Sequence, residues 1–521
     1  MEHTVARETE LPAGTLREVD AGGTKVLLIG GADGVRAFGA RCPHYDAPLA
    51  DGLLHDGRLM CPWHGGTFDA HTGDLLEPPP LAGLAPLAVR VADGDVIVDL
   101  PDRPSRQRTM PMAERDRDDR RTFAVVGGGA AGGAAVEALR QHGFTGRIVL
   151  ISREDRGPYD RPNLSKDYLA GTAGADWLPL RPESFYERHA IELRCAAVER
   201  LDVATSRLEF TDGTTLTPDA VLIATGGTPR RLDVPGADLP GVFTLRSWSD
   251  CDAIIAALEG AAAAVVVGAS FIAMETAASL RERGLEVTVV APDAVPLATQ
   301  LGAELGGYLQ ARHERHGVRF RLGRTVARVD GDDRVCAVEL DDGSRIDAAL
   351  VVAGIGVAPA TGFVANVEVN DDGSLDVDDE LRVNDHGVWA AGDVARYPEA
   401  HVGGRARIEH WRLAEQLGRA AAASMAGHGR PFAAVPGFWT QQFGLRVAYV
   451  GVGRDWDETI VVGDIGRGDF TVVYAHGGRL VAAAGTRDLD LAAFSELMRL
   501  DRLPRRAELR GGADAGLVDL L

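Results

Sequence analysis

The apolar positions of the first hundred residues fall in short runs of the kind that form β-strands. Residues 25–29 read Lys-Val-Leu-Leu-Ile and residues 96–100 read Val-Ile-Val-Asp-Leu. Glycine, proline and aspartate break the sequence between such runs, as they do at tight turns. The pattern predicts a small all-β domain over residues 1–101.

The pattern changes after this domain. Residues 102–121 contain several prolines and an Asp/Arg-rich run without apolar periodicity. This composition predicts an extended, polar linker on which the first domain can swing. From Thr122 onward, apolar strand-like runs alternate with Ala- and Leu-rich helical stretches. That alternation is typical of α/β units built on a parallel sheet.

Two of the α/β units resemble each other. Residues 123–132 read Phe-Ala-Val-Val-Gly-Gly-Gly-Ala-Ala-Gly and precede a helical stretch at 134–141. About 140 residues later, residues 264–273 read Ala-Val-Val-Val-Gly-Ala-Ser-Phe-Ile-Ala and precede a helical stretch at 275–283. Each unit is a strand, a glycine turn and a helix, so the repeat predicts two nucleotide-binding domains.

The charge and composition of the chain limit the classes of binding partner that we expect. The chain has 521 residues, with 76 acidic and 55 basic side chains and a net charge of -21. Such a surface repels phosphate backbones and anionic headgroups, so we expect neither a nucleic acid nor a membrane as partner. The first 20 residues lack a secretory pattern, and no apolar run reaches the ~18 to 20 residues of a spanning helix. Five scattered cysteines do not suggest a disulfide framework, and we expect a cytoplasmic protein.

Paired Cys and His residues in the first domain predict a metal centre. Cys42, His44, Cys61 and His64 form the pattern C-x-H-x16-C-x-x-H. Two thiolates and two imidazoles on paired loops can hold a [2Fe-2S] cluster, with both cysteines on one iron and both histidines on the other. A Cys2His2 zinc site and chance placement are the alternatives, although zinc-finger spacing pairs cysteine with cysteine.

The segments around these four residues resemble Rieske ferredoxins. Ala47 and Trp63 stand where the respiratory members place loop-bridging cysteines, so the resemblance implies no disulfide here. Gly66 and Phe68 stand where that family has hydroxyl groups directed at the cluster and a ligand sulfur. Fewer hydrogen bonds to sulfur predict a reduction potential near the low end of the Rieske range, roughly -150 mV.

The first glycine turn carries a complete dinucleotide fingerprint. Gly127, Gly129 and Gly132 follow an apolar strand and open a helix. The first glycine makes the tight turn, the second lets a pyrophosphate approach the backbone, and the third lets the helix pack on the strand. Glu154 ends the next strand, 22 residues beyond Gly132, where a carboxylate can accept hydrogen bonds from a ribose.

Residues 158–166, Pro-Tyr-Asp-Arg-Pro-Asn-Leu-Ser-Lys, resemble the flavin-dependent ferredoxin reductases of bacterial oxygenase systems and the apoptosis-inducing-factor-like oxidoreductases. The resemblance implies that Arg161 and Lys166 lie beside FAD, that Asp393 binds its ribityl chain, and that the segment containing Trp439 packs on the isoalloxazine. Solvated charges at a helix start, a capping aspartate and ordinary core aromatics are the respective alternatives.

The second glycine turn departs from the fingerprint, because Ser270 and Ala273 replace glycines after Gly268. Serine and alanine are small enough for close approach, although their backbones are less free. We assign this turn to the nicotinamide dinucleotide, with Glu275 at the helix start as a neighbour of the nicotinamide. Lys166 and Glu275 are the candidate catalytic residues, because they can tune the charge near the reacting rings.

The end of the following strand bears on donor choice. An acidic residue there favours NADH and an arginine favours NADPH. The strand ends at Ala291, Asp293 lies two residues on, and no arginine occurs in that turn. We therefore expect NADH to be the better donor.

These observations predict a multidomain protein with two Rossmann-like α/β domains of the glutathione-reductase type. The predicted parts are a Rieske domain (1–101), a linker (102–121), an FAD-binding domain (122–245 and 363–430), an NAD(P)H-binding domain (246–362) and a C-terminal α+β domain (431–521).

The predicted activity is electron transfer from NAD(P)H through FAD to the Rieske centre, and then to a one-electron acceptor protein such as an oxygenase. We expect a monomer or a homodimer. The alternative is a redox-responsive signalling or scaffold flavoprotein of the apoptosis-inducing-factor-like type, with slow turnover.

Overall fold

The computed structural model describes residues 1–453, 455–509 and 516–521. Arg454 and residues 510–515 of the predicted C-terminal domain lie outside this set. Residues 1–99 form two antiparallel sheets, as the short apolar runs predict. The six-stranded sheet has the order Glu2–Arg7, Asp95–Asp99, Pro86–Ala92, Gly34–Gly39, Thr24–Gly31, Leu16–Ala21. The four-stranded sheet has the order Leu53–His55, Arg58–Met60, Thr67–Asp69, Leu75–Glu77.

Two parallel sheets follow, one for each glycine turn. The first has the order Ile191–Cys195, Arg147–Ser152, Thr122–Val126, Ala220–Ile223, Val388–Ala390, Arg382–Asn384, and only its last pair is antiparallel. The second has the order Val242–Thr244, Leu350–Ala353, Ala263–Val267, Glu286–Ala291, Arg319–Leu322. Both place their glycine turn at the carboxyl end of a central strand, where open α/β sheets bind ligands.

Smaller sheets complete these domains. They comprise Thr215–Leu216, Arg207–Phe210, Val198–Asp202 and Val364–Ala365; Gly227–Pro229 with Val357–Pro359; Val326–Gly331, Val335–Leu340 and Arg345–Asp347; and Leu375–Asp376, Ala395–Pro398 and Arg405–Ala406. The C-terminal domain is an antiparallel sheet with the order Gly437–Gln442, Leu445–Gly451, Arg479–Gly485, Asp469–His476, Glu458–Asp464.

The α-helices of the described residues are α1 Ala130–Gln141, α2 Asp167–Ala170, α3 Glu183–Arg188, α4 Trp248–Ala257, α5 Phe271–Glu282, α6 Ala298–Arg315, α7 Trp411–Met425 and α8 Asp488–Arg499. Helices α1 and α5 begin four residues earlier than the sequence pattern indicates, directly after their turns. No helix in the described part of the chain is long and apolar enough to cross a membrane.

The segment between the first two domains is not the free linker that its composition predicts. Residues Gln107–Arg108 pair as a short strand with Gly83–Leu84 of the Rieske domain. Further on, the backbone N–H groups of Ala113 and Asp116 donate to carbonyls of the FAD-binding domain, at 2.8 and 2.9 Å. Met110 packs on one domain and Met112 on the other. Scattered apolar residues without periodicity therefore fix this segment.

The Rieske domain also packs directly on the C-terminal domain. Leu53 and Met60, on neighbouring strands, are buried in an apolar cluster with Val435, Leu491 and other residues of that domain. Arg58 donates to the buried Glu496 of α8 at 3.3 Å. This arrangement brings the Cys and His loops to the edge of the C-terminal sheet.

Replacing Leu53 by aspartate should separate the Rieske domain from the C-terminal domain. A buried leucine that loses its contacts costs roughly 2 to 5 kcal/mol, and an unpaired buried carboxylate adds to this. After a protease has cleaved the exposed residues 102–103, gel filtration shows whether the Rieske domain stays bound or is released. Leu76→Asp is the matched control, because Leu76 is 37% exposed on the same sheet. Equal release of the Rieske domain in the two variants contradicts the packing described.

Candidate active site

The four predicted metal ligands converge in two pairs at the tip of the Rieske domain. The Nδ1 atoms of His44 and His64 face each other at 3.0 Å. The Cys42 and Cys61 side chains are buried and interact with each other. Backbone N–H groups of the residues after each cysteine lie close enough to interact with its sulfur, those of His44 and Tyr45 with Cys42, and those of Trp63 and His64 with Cys61.

Burial keeps the two histidines in the form that binds metals. It lowers the pKa of His44 to about 3, and burial together with nearby positive charge lowers the pKa of His64. The hydrogen bond between the thiols raises the pKa of Cys42 and lowers that of Cys61. A metal binds histidine as the neutral imidazole, so the effect of burial on the two imidazoles favours binding.

This donor set fits a binuclear cluster. A zinc ion needs three or four ligands around one point, and no such group of His, Cys, Asp or Glu occurs among the described residues. Two separate pairs fit two irons with two protein ligands each. The missing hydroxyl at Gly66 also has a physical reason, because a Cβ there would lie 2.5 Å from Pro80 Cδ.

The first glycine turn is built as the fingerprint predicts. A Cβ at Gly132 would lie 1.8 Å from the Gly127 carbonyl oxygen, so only glycine lets α1 pack on the turn. Gly127 itself has φ 119° and lies against Ala224. A Cβ at Gly129 would meet only the Arg161 side chain, at 3.9 Å. The middle glycine therefore leaves open space for a pyrophosphate.

A chain of polar contacts joins the predicted FAD residues. Glu154 accepts hydrogen bonds from Arg161 and, at 2.7 Å, from Tyr159. Arg161 also donates to the carbonyl of Arg246 at 2.8 Å, and the Arg246 side chain pairs with Asp393 at 2.9 Å. Asp393 thus has an arginine partner and does not cap a helix. Arg246 belongs to none of the sequence motifs, and only the folded chain reveals it.

Lys166 and Glu275, predicted as catalytic residues, form an ion pair at 2.7 Å. Glu275 is 2% exposed, and its oxygens also accept from Ser165 at 2.6 Å and Thr440 at 2.7 Å. Lys166 donates in addition to the Pro162 carbonyl at 3.2 Å. Glu275 therefore ties together the flavin segment, the nicotinamide helix α5 and the C-terminal sheet.

Trp439 lies between this ion pair and the metal centre. It directly precedes Thr440, and its ring lies 4.3 Å from that of His64 and 6.3 Å from that of His44. The neighbouring Phe438 packs instead on His410, Phe271 and Tyr449. Phe438 therefore packs against the core, whereas Trp439 contacts the predicted metal ligands. Packing of the Trp439 segment on the isoalloxazine stays a prediction.

Contacts across the domain boundary hold the metal centre in place. Tyr45, next to His44, donates to the buried Asp160 at 2.5 Å and accepts from Asn163 at 3.2 Å. Burial raises the pKa of Asp160. Arg412 donates to the carbonyls of Gly65 and Pro78, at 3.1 and 3.0 Å. These partners are far apart in sequence, and no local pattern marks them.

The structure of the second glycine turn shows why serine and alanine can replace two glycines of the fingerprint there. The Ser270 hydroxyl caps α5 by accepting from the Ala273 N–H at 3.3 Å, and it donates to the Gly354 carbonyl at 2.8 Å. A Cβ at Gly354 would lie 2.8 Å from that of Ala273. The room that the fingerprint normally gains from its third glycine is supplied here by Gly354, and Gly268 keeps a positive φ of 104°.

An arginine from a neighbouring strand lies beside the turn after Ala291. Arg324 and Gly323 donate backbone hydrogen bonds to the carbonyls of Ala291 and Asp293, both at 3.1 Å. The Arg324 guanidinium pairs with Asp342 at 3.1 Å. The turn itself contains no arginine, as the sequence shows, but the end of the adjacent strand Arg319–Leu322 places Arg324 next to it.

Comparison with known proteins agrees with this geometry. A family model described as pyridine nucleotide-disulphide oxidoreductase matches residues 121–418. The chain belongs to this family. A Rieske [2Fe-2S] domain model matches residues 1–88, and a model named Reductase C-terminal matches residues 437–511. These matches confirm the predicted fold class and the cofactor set of FAD, a [2Fe-2S] cluster and NAD(P)H.

Some relatives of this chain match nearly its whole length, whereas others match about two thirds of it. Apoptosis-inducing factor 3 of Homo sapiens is 35% identical, over 98% of this chain and 86% of its own. Rhodocoxin reductase of Rhodococcus erythropolis is 36% identical, over 69% of this chain and 85% of its own. The crystal structure of the ferredoxin reductase for the CYP199A2 system of Rhodopseudomonas palustris has a TM-score of 0.72 and 31% identity, covering 77% of this chain and 99% of its own.

Changing His64 to cysteine should abolish the Rieske spectrum and leave one FAD per chain, because the flavin residues lie in another domain. Iron, sulfide and flavin assays with electron paramagnetic resonance measure this. His55→Cys is the control, since His55 lies on the same sheet outside the loops. Zinc in the purified wild type, or an unchanged spectrum in His64→Cys, contradicts the assignment.

Arg324→Gln should lower kcat/KM for NADPH by about tenfold, or roughly 1.4 kcal/mol, and leave that for NADH unchanged. The reason is that a 2′-phosphate at this turn can accept from the guanidinium, whereas a ribose diol does not need it. Steady-state kinetics with both donors measure the effect, and wild type should prefer NADH. Arg319→Gln is the control at the other end of the strand, and equal losses in both variants refute the assignment.

Proposed function

We propose that this chain oxidises NAD(P)H at its flavin site and passes the electrons, through its own Rieske centre, to a one-electron acceptor protein. The carrying observation is the contact of Trp439 with His64, at 4.3 Å between ring centroids. A predicted metal ligand thereby lies one tryptophan away from the segment expected to face the flavin. When bound, FAD accepts a hydride and releases electrons singly, which is the chemistry needed between a nicotinamide and an iron-sulfur cluster.

The Lys166–Glu275 pair supports the proposal, because Glu275 holds the positive charge of Lys166 in place where the reacting rings are expected. Glu275 receives hydrogen bonds from three side chains, so its orientation is set before any ligand binds. Lys166 uses two of its three N–H groups within the described residues, on Glu275 and the Pro162 carbonyl. The third is left for a bound cofactor, and a preorganised cation there stabilises negative charge on the flavin ring.

The names of the relatives favour the same activity. Several of them are ferredoxin reductase components of oxygenase systems, among them that of a chlorobenzene dioxygenase of Cupriavidus. The chlorobenzene dioxygenase component is 34% identical over 71% of this chain. A redox-responsive scaffold does not require an electron route out of the flavin site, whereas the docked metal centre supplies one.

Trp439→Ala should slow reduction of the Rieske centre by at least about tenfold, a rise of ~1.4 kcal/mol in the barrier, while flavin reduction by NADH keeps its rate. The tryptophan fills the space between the flavin segment and His64, and its loss lengthens the path between the two centres. Stopped-flow absorbance of the holoenzyme resolves the two phases.

In the wild type, the flavin should bleach before the cluster. Trp177→Ala is the control, because Trp177 is 57% exposed and has no part in this contact. Reduction of the cluster before the flavin, or equal slowing of both phases in Trp439→Ala, would show that electrons do not enter at the flavin and leave through the Rieske centre.

A further inference from the structure

The peptide group between Trp63 and His64 is polarised from both ends. Its N–H, from His64, interacts with the sulfur of Cys61. Its carbonyl, from Trp63, accepts a hydrogen bond from Arg446. A cation at the carbonyl of a peptide makes its N–H a stronger donor, because the hydrogen bonds in such a chain polarise one another. Arg446 therefore acts on the Cys61 sulfur through one peptide unit.

Arg446 does not belong to the Rieske domain. It lies on the strand Leu445–Gly451 of the C-terminal sheet and reaches across the domain boundary to the ligand loop. Its side chain is only 18% exposed, so solvent screens its charge weakly. The positive charge nearest to the Trp63 carbonyl is thus present only while the two domains are docked.

Hydrogen bonds to sulfur and nearby charge set the potential of an iron-sulfur cluster. Each electron that the cluster accepts adds one negative charge, so a cation and a stronger N–H donor stabilise the reduced form more than the oxidised form. Gly66 and Phe68 lack the hydroxyls that supply such bonds in respiratory relatives. The Arg446 contact supplies a compensating influence from outside the domain.

Asp488, the first residue of α8, pairs with the same guanidinium. Its carboxylate is partly buried, with 25% of the side chain exposed. Its negative charge opposes that of Arg446 at the ligand loop. The pair therefore contains one group that favours the reduced cluster and one that disfavours it.

We propose that Arg446 raises the reduction potential of the Rieske centre through the Trp63–His64 peptide, and that Asp488 limits the rise. This inference deepens the proposed function, because it sets how readily the centre accepts electrons from the flavin. By linkage, docking that favours reduction is itself strengthened by reduction to the same extent. Arg446 is a positioning residue in this scheme, since it acts through the peptide.

Redox titration of the full-length holoprotein tests the proposal, with dithionite and mediators as reductant and electron paramagnetic resonance of the cluster as readout. Arg446→Gln should shift the midpoint potential downward. Asp488→Asn should shift it upward, because the arginine charge is then unopposed. Arg446→Lys retains the charge and should fall between Arg446→Gln and wild type.

Arg499→Gln is the matched control. Arg499 also reaches from the C-terminal domain to the Rieske domain, at 3.5 Å from Asp56, but away from the ligand loop. The cluster of the Arg499→Gln variant should have the same midpoint potential as that of the wild type. Loss of docking in Arg446→Gln can lower the potential but cannot raise it in Asp488→Asn, so the pair of opposite shifts is diagnostic. Shifts of the same sign, or none beyond that of Arg499→Gln, overturn the proposal.

The titration does not depend on NADH. A cluster that shows the opposite shifts but is not reduced by NADH in stopped flow supports the tuning role and contradicts the proposed electron path. A cluster reduced by NADH, with potentials unmoved in both variants, supports the path and contradicts the tuning role.

Discussion

The guanidinium of Arg412 joins two segments of the Rieske domain to the segment that precedes the C-terminal sheet. It donates to the carbonyls of Pro78, Gly65 and Val435, at 3.0, 3.1 and 3.3 Å, and it is 7% exposed. Burying a charge without such partners is costly, and here all three acceptors are present only when the Rieske domain is docked. The position of Gly65 fixes His64, and His64 fixes the contact with Trp439. The proposed electron path therefore depends on this one side chain.

The two nucleotide turns show that close packing constrains a site more than the identity of any one residue does. At the first turn, Gly132 lets α1 approach the Gly127 carbonyl. At the second, Ala273 fits because Gly354 on the neighbouring strand has no side chain. The space between helix and sheet is thus provided by a glycine of the helix at the first turn and by a glycine outside the helix at the second. A fingerprint that covers only one segment of sequence detects the first arrangement and misses the second.

The spacing of residues along the sequence predicted the features of the site that depend on residues close together in the chain. The metal ligands and the first glycine turn follow from residues whose roles depend on a strand end, a loop pair or a helix start. Lys166 and Glu275 were each predicted to lie near the reacting rings, but their ion pair joins segments 109 positions apart and was not predicted. The docking of the domains depends on Tyr45, Arg412 and Arg446, whose partners in the other domain lie 115, 334 and 383 positions away and carry no periodic signal. Arg324 was missed for the same reason, because the strand that delivers it is adjacent in space and distant in sequence.

Fusion of the acceptor domain changes what the interface must do. A separate ferredoxin must find its reductase and leave again, so such interfaces are small and polar. Here the domains share one chain, and residues 107–116 are themselves fixed to both. The effective concentration of the acceptor is then high without diffusion. The interface can accordingly bury Leu53 and Met60 and hold a buried arginine, features suited to a lasting contact.

An acceptor outside the chain must then approach the metal centre by a face that the other domains do not cover, or bind after the Rieske domain has separated from them. The Trp63 side chain, 38% exposed, is one part of the ligand loops that remains accessible in the docked structure.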